Sequence, residues 1–178
     1  DRTDLLGALS DELALEQSHK IADLDVLLRM VSEWRARGKR IVFTNGCFDL
    51  LHAGHVIYLE KARREGDCMV VGLNSDRSVR ALKGESRPVI PQHERARVLA
   101  ALSSVDAVIL FDEDTPLKLI DAVRPDVIAK GSDYTEDQVV GGKEVKSWGG
   151  RVVLIPLVQG RSTTDILSRI NSSDKTKS

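Results

Sequence analysis

Two histidines three residues apart, His52 and His55, bracket Ala53 and Gly54 where a short β-branched run gives way to a helical pattern. The stretch Thr44-Asn45-Gly46-Cys47-Phe48-Asp49-Leu50-Leu51-His52-Ala53-Gly54-His55 leaves a strand, turns at Asn45-Gly46, and delivers both imidazoles to the start of a helix. Such a start suits an anion. Its first N–H groups lack partners within the helix, the helix dipole is positive there, and a glycine lets a phosphate approach the main chain. The imidazoles of His52 and His55 can then donate to phosphate oxygens. Histidines at this spacing also suit a metal, but no third ligand stands nearby in the sequence, which disfavours zinc. Polar residues that merely open a helix are the plain alternative, because a glycine-flanked pair is a motif of moderate specificity.

The elements that would position these side chains follow from apolar periodicity. Residues 41–44 read as a first strand, and residues 54–64 as a helix with Val56, Leu59 and Ala62 at helical spacing. Residues 68–73 read as a strand buried on both faces, with Asn74-Ser75-Asp76 as a cap after it. Further strands are expected at 105–110, 127–129 and 152–155. Further helices are expected from Gln92 to about Leu102, over 116–123 with Thr115 as its cap, ending near Trp148, and over 162–170. Two stretches between them, 83–91 and Lys130-Gly131-Ser132-Asp133-Tyr134, have the composition of functional loops. Ahead of the first strand, residues 5–15 and 24–37 look helical, and Leu24, Leu27, Leu28, Val31 and Trp34 form a stripe that lies on the sheet. The pattern predicts an α/β, Rossmann-like single domain: a five-stranded parallel sheet with helices on both faces, plus an N-terminal helical extension. Residues 1–22 are expected to be a helical linker or the end of a preceding domain, 23–170 the domain itself, and 171–178 a polar tail. In such sheets ligands sit at the carboxyl ends of the strands near the switch point, here after residues 44 and 129.

Composition narrows the class. The chain has 178 residues, enough for one domain with a short appendage. With 26 basic and 27 acidic residues its net charge is −1, which offers no global field for nucleic acid. No run reaches the ~20 apolar residues of a membrane span, and the opening residues are acidic where a secretory signal would be cationic. A cytoplasmic location is therefore expected, with no membrane partner. Cys47 and Cys68 stand far apart without Cys-x-x-Cys spacing, so neither a disulfide framework nor a structural zinc site is indicated. Position 1 is Asp rather than Met, and a longer natural chain is expected.

The strand, Asn-Gly-Cys-Phe-Asp and His-Ala-Gly-His together resemble the His-x-Gly-His signature of the nucleotidyltransferase superfamily. A second hallmark, a Ser-Thr-Thr segment opening the last helix, is matched by Arg161-Ser162-Thr163-Thr164 after Gly160. More narrowly, the chain is similar to the adenylyltransferase of ADP-heptose synthesis. The similarity rests on Thr44-Asn45-Gly46-Cys47-Phe48-Asp49, Leu82-Lys83-Gly84-Glu85-Ser86-Arg87-Pro88-Val89, residues 111–116, Lys130-Gly131-Ser132-Asp133-Tyr134 and Gly141-Gly142-Lys143-Glu144-Val145, and covers about residues 23 to 170. The resemblance implies transfer of AMP from ATP to D-glycero-β-D-manno-heptose 1-phosphate, for the inner core of lipopolysaccharide. It also implies a sugar kinase ahead of this domain in a longer chain and, by analogy, a homodimer. A cytidylyltransferase or other nucleotidyltransferase acting on another phosphate ester, such as glycerol phosphate, and an inactive nucleotide-binding module stand as alternatives. A dehydrogenase is disfavoured because no Gly-x-Gly-x-x-Gly follows the first strand.

The resemblance implies a role for each candidate. His52, His55 and Lys83 are the catalytic set: the histidines stabilise charge at the α-phosphorus and Lys83, with Arg87, grips the sugar phosphate or pyrophosphate. Solvated loop charges are the competing account of Lys83 and Arg87. Asn45, Gly46, Cys47, Phe48 and Gly54 are expected to bind the ATP, with Gly54 letting a phosphate approach the main chain. Lys130, Gly131 and Asp133 lie where base and ribose rest, and Asp133 is also the candidate Mg²⁺ ligand or a solvated carboxylate. Ser162 and Thr163 donate to β and γ phosphates, or serve only as caps. Arg161 is the nearby cation; the Arg that glycerol-phosphate cytidylyltransferases place five residues before the Ser is Leu157 here. Mg²⁺ is expected to arrive with the phosphates. Cys47 is expected to pack rather than attack, since the chemistry needs no nucleophile.

Overall fold

The computed structural model describes residues 19–157. The expected helices at 5–15 and 162–170, the tail, and Arg161, Ser162 and Thr163 lie outside them. Five parallel strands form one sheet in the order β3-β2-β1-β4-β5: β1 is Ile41–Gly46, β2 Cys68–Asn74, β3 Ala107–Phe111, β4 Val127–Gly131 and β5 Arg151–Ile155. This is the doubly wound order, with the switch point between β1 and β4. The helices are α1 (Leu24–Ala36), α2 (Ala53–Arg63), α3 (Asp76–Lys83), α4 (Gln92–Ala100), α5 (Leu117–Val123) and α6 (Gly142–Ser147), with a 3₁₀ turn at Glu136–Gln138.

Strand alternation divides the core in two. Val42, Met69 and Val71 face α2 and α4, where they meet Leu59, Ala62, Leu99 and Ala100. Ile41, Phe43, Val70 and Ile128 face the other way, against Leu27 and Val31 of α1, Ile120 and Val123 of α5, and Val145 of α6. The expected α1 stripe thus lies on the sheet, capped by Asp23, whose carboxylate accepts from Val26 N–H at 2.8 Å. β2, whose seven residues are all buried, sits between β1 and β3. Residues read as linker extend the sheet: Ile21 bridges Val108, and Ala22 N–H donates to Val108 O at 2.9 Å, covering part of the outer edge of β3. No helix among the described residues is long and apolar enough to cross a membrane.

Two expectations need correction. Thr115 does not cap α5: the N-cap is Pro116, whose ring has no side-chain acceptor to offer, and the Thr115 side chain lies in the cleft described below. The segment after β2, read only as a cap, is the helix α3. Ser75 opens it by accepting from Ser78 N–H at 3.1 Å, and Lys83 is its last residue.

Candidate active site

A cleft of about 720 Å³ lies over the carboxyl ends of the strands. β1 delivers the chain to Gly46, where a side chain would come 3.0 Å from the ring of Phe48, so glycine lets that ring fold back. Phe48 itself stands in the left-handed region, with φ 44°. The next turn ends in α2, whose first residues hold both histidines by their backbone. Gly54 N–H donates to His52 Nδ1 at 3.1 Å, and His52 N–H donates to His55 Nδ1 at 3.4 Å. A neutral ring that accepts at Nδ1 carries its proton at Nε2. The two rings stack with centroids 3.9 Å apart, and Phe48 abuts His55 edge-on at 5.4 Å. Burial, then the neighbouring His52 and Lys83 charges, push His55 down to about 4. The His55 ring is therefore neutral at physiological pH, with its proton at Nε2. Cys47 lines the same cleft, and burial raises its thiol pKa.

The opposite wall comes from the parting of two strands. β1 pairs with β2 over six residues but with β4 over only two, Val42 with Val127 and Phe43 with Ile128. Beyond that point side chains close the gap. The buried Tyr58 hydroxyl donates to Ala129 O at 3.0 Å and lies 2.8 Å from Thr44 Oγ1. One step further out, Lys130 Nζ donates to Asn45 O at 3.1 Å and stands 5.4 Å from the Tyr134 ring. Burial lowers the Lys130 ammonium to about 8 despite the nearby Asp133 carboxylate. A cation held this dry is poised to pair with an incoming anion. Among the described residues no three His, Cys, Asp or Glu side chains converge as a metal site.

Of the two expected loop cations, the structure brings one to the cleft. Lys83 lines it. Arg87 does not: its Nε donates to Asp49 Oδ2 at 2.5 Å, with the side chains 13% and 1% exposed. Asp49 also accepts from Val89 N–H at 2.8 Å and Ile90 N–H at 3.0 Å. Burial alone would raise this carboxylate, but these three hydrogen bonds outweigh it and hold Asp49 below its ordinary range. Arg87 thus fastens the loop after α3 to the histidine loop, while its Nη2 is buried without a hydrogen-bond partner. Arg95, which sequence reasoning passed over, does the same from below. Fully buried, it donates to Cys47 O at 2.6 Å, Ile90 O at 2.9 Å, Asn74 O at 2.9 Å and Asp76 Oδ1 at 2.8 Å. Its signal was legible: it precedes Ala96 and stands four residues before Leu99, both on the buried stripe of α4. Tyr58 was equally missed, one position from Leu59 on the buried face of α2.

The family model of cytidylyltransferase-like domains matches residues 43–174, from inside β1 past the last described strand. The chain belongs to the cytidylyltransferase-like family. It is a nucleotidyltransferase, and its stacked histidines, Lys83 and Lys130 line the cleft over the strand ends. Among curated relatives, bifunctional protein HldE of Methylobacillus flagellatus is 66% identical over 97% of this chain and 35% of its own length. The HldE protein of Magnetococcus marinus is 59% identical over 97% of this chain and 35% of its own. The chain thus spans about a third of the length of these relatives. Among solved structures, the lipopolysaccharide core biosynthesis protein of Thermoplasma volcanium is 29% identical, covering 70% of this chain and all of that one with a TM-score of 0.57. Pantoate-beta-alanine ligase of Francisella tularensis, at 17% identity and a TM-score of 0.56 over 85% of this chain and 76% of that one, shares the fold.

Proposed function

We propose that this cytidylyltransferase-like domain transfers AMP from ATP to D-glycero-β-D-manno-heptose 1-phosphate, forming ADP-heptose and pyrophosphate. The observation that carries the reading is 66% identity along 97% of the chain to a bifunctional HldE protein, over the stretch that resembles the adenylyltransferase of ADP-heptose synthesis. The site's chemistry supports it. A phosphate monoester oxygen attacks the α-phosphorus, the bond from that phosphorus to the bridging oxygen breaks, and pyrophosphate leaves with the electron pair. No proton need be removed from the nucleophile, so the protein's task is to bring two anions together and stabilise the charge that grows between them. His55, a neutral donor, and His52 beside it serve the α-phosphate. Lys130 and the main chain of Asn45, Gly46, Cys47 and Phe48 hold the triphosphate, and Lys83 the sugar phosphate. Ser162, Thr163 and Arg161 would complete the β and γ contacts. Mg²⁺ would enter with the phosphates, for which the Asp133 carboxylate at the cleft wall is a fitting outer contact.

Adenine specificity is assigned to the Lys130–Tyr134 loop, with Tyr134 and Leu157 offering exposed apolar surface to a flat base. In a longer natural chain a sugar kinase would stand ahead of this domain, in the cytoplasm. A screen of ATP, CTP, GTP and UTP against several sugar 1-phosphates and glycerol phosphate, followed by pyrophosphate release, tests the reading. ATP with heptose 1-phosphate is the expected best pair; equal or better turnover with CTP overturns the adenylyl assignment.

A further inference from the structure

The cleft is lined by charges of both signs, and its Asp49 carboxylate is already paired with Arg87. Its cations and imidazoles, His52, His55, Lys83 and Lys130, gather around the end of β1. From there the cleft runs two ways, because β3 and β4 lie on opposite sides of β1. One end, after β4, holds Asp133, Tyr134 and Leu157. The other, after β3, is lined by Phe111, Asp114 and Thr115, just ahead of α5. Asn45 points to the α5 face of the sheet: a Cβ placed on Gly72 would lie 3.2 Å from Asn45 Cβ and 3.4 Å from Leu119 Cδ2 of α5.

The α5 end offers acceptors that no hydrogen bond among the described residues uses, although the Asp114 charge also acts on Arg77. Asp114 makes no hydrogen bond or ion pair among the described residues, and Asn45 Oδ1 is buried without a partner. The Thr115 hydroxyl is excused from capping, since α5 starts at Pro116 with no side-chain cap. A carboxylate in a cleft that receives phosphates repels them, unless what reaches it is a neutral donor. A polyhydroxylated sugar is such a donor, and its phosphate would then lie back toward Lys83. We propose that Asp114 and Thr115 are specificity-determining residues that accept hydrogen bonds from hydroxyl groups of the sugar phosphate at the α5 end. The inference rests on the proposed transfer to a sugar phosphate and adds which residues read the sugar.

Steady-state kinetics of the full chain test it with Asp114→Ala and Thr115→Val, both at exposed positions, alongside wild type. Loss of a charge-assisted hydrogen bond predicts a KM for heptose 1-phosphate raised on the order of 10- to 100-fold in Asp114→Ala, and about threefold to tenfold in Thr115→Val. The KM for ATP should stay within about twofold of wild type. Sugar 1-phosphates lacking one hydroxyl should lose most against wild type and, for the hydroxyl that Asp114 reads, lose nothing further against Asp114→Ala. If Asp114 only repels phosphate, its removal lowers the KM for the sugar phosphate, which overturns the inference. A raised KM for ATP alone assigns the α5 end to the nucleotide and also overturns it. Wild-type protein that turns over other acceptors but not heptose 1-phosphate overturns the proposed function first, and this inference with it.

Discussion

At the scale of single residues, the site works through groups whose protonation is set by burial. His55 is neutral above about pH 4, so it donates a hydrogen bond without needing to be charged. If that bond strengthens as charge grows at the α-phosphorus, His55→Ala should lower kcat on the order of 10² to 10³ while the KM for ATP changes little. Lys83→Ala should instead raise the KM for the sugar phosphate, because the charge it meets is present throughout the reaction. Steady-state kinetics with thermal melts separate these from misfolding; near-normal kcat in folded His55→Ala contradicts the mechanism. Lys130 predicts a trade between stability and function. Its folded pKa, about 8, lies below the ordinary 10.5, so the folded chain gives up this proton first. Its contribution to stability rises as pH climbs between those values, and at pH 7 the buried ammonium costs stability. Lys130→Met should therefore stabilise the ligand-free protein by about 1 kcal/mol or more at pH 7 and weaken ATP binding at least tenfold. Calorimetric titration should show proton uptake on ATP binding to the wild type near pH 8 to 9, absent in Lys130→Met.

At the scale of elements, the active site is a junction of three loops fastened by buried charges. Asp49 and Arg95, of opposite sign, both grip the segment around Ile90, one at its N–H and the other at its carbonyl. Each also holds the histidine loop, so the segment that follows Lys83 is tied to the loop that carries His55. Asp49→Asn removes the charge that balances Arg87 and should cost about 3 to 5 kcal/mol. Its effect on function should be a raised KM for the sugar phosphate, since the loop following Lys83 loses its fastening. Because the Asp49 pKa is depressed in the fold, its stabilisation is complete above the ordinary carboxylate range and is lost as pH falls through the folded value. Denaturant melts of wild type and Asp49→Asn between pH 3 and 7 should converge at the acid end; parallel curves would contradict this account.

At the scale of the whole molecule, a net charge of −1 means that attraction of two polyanions is local rather than global. His52, His55, Lys83 and Lys130 line the cleft, where the Asp49 carboxylate is already paired with Arg87, and Asp114 and Asp133 join the lining after β3 and β4. Added salt should therefore weaken binding through short-range screening at the cleft. Between about 50 and 500 mM salt, kcat/KM for both substrates should fall several-fold while kcat changes less. A kcat that falls as steeply as kcat/KM contradicts this. The same distribution predicts no retention on DNA at physiological ionic strength.

The sequence by itself determined the sheet, its parallel sense and the histidine loop, because periodicity, glycine turns and helix starts are local signals carried by neighbours in the chain. It also determined the family, since the signature from Thr44 to His55 is contiguous. What it left open were the partners of charges. Lys83 and Arg87 are four residues apart and read alike, yet one faces the cleft and the other is spent on Asp49, 38 positions away. Arg95, whose guanidinium meets carbonyls of residues 47, 74 and 90, and Tyr58, which ties Thr44 to Ala129, are likewise defined by strands that only the folded sheet brings together. Thr115 looked like a cap because its neighbours in sequence allowed it; the N-cap of α5 is Pro116, and Thr115 lines the cleft. A side chain's type is written locally, but the desolvation and hydrogen bonding that decide its role come from residues distant in sequence, and only the tertiary structure supplies them.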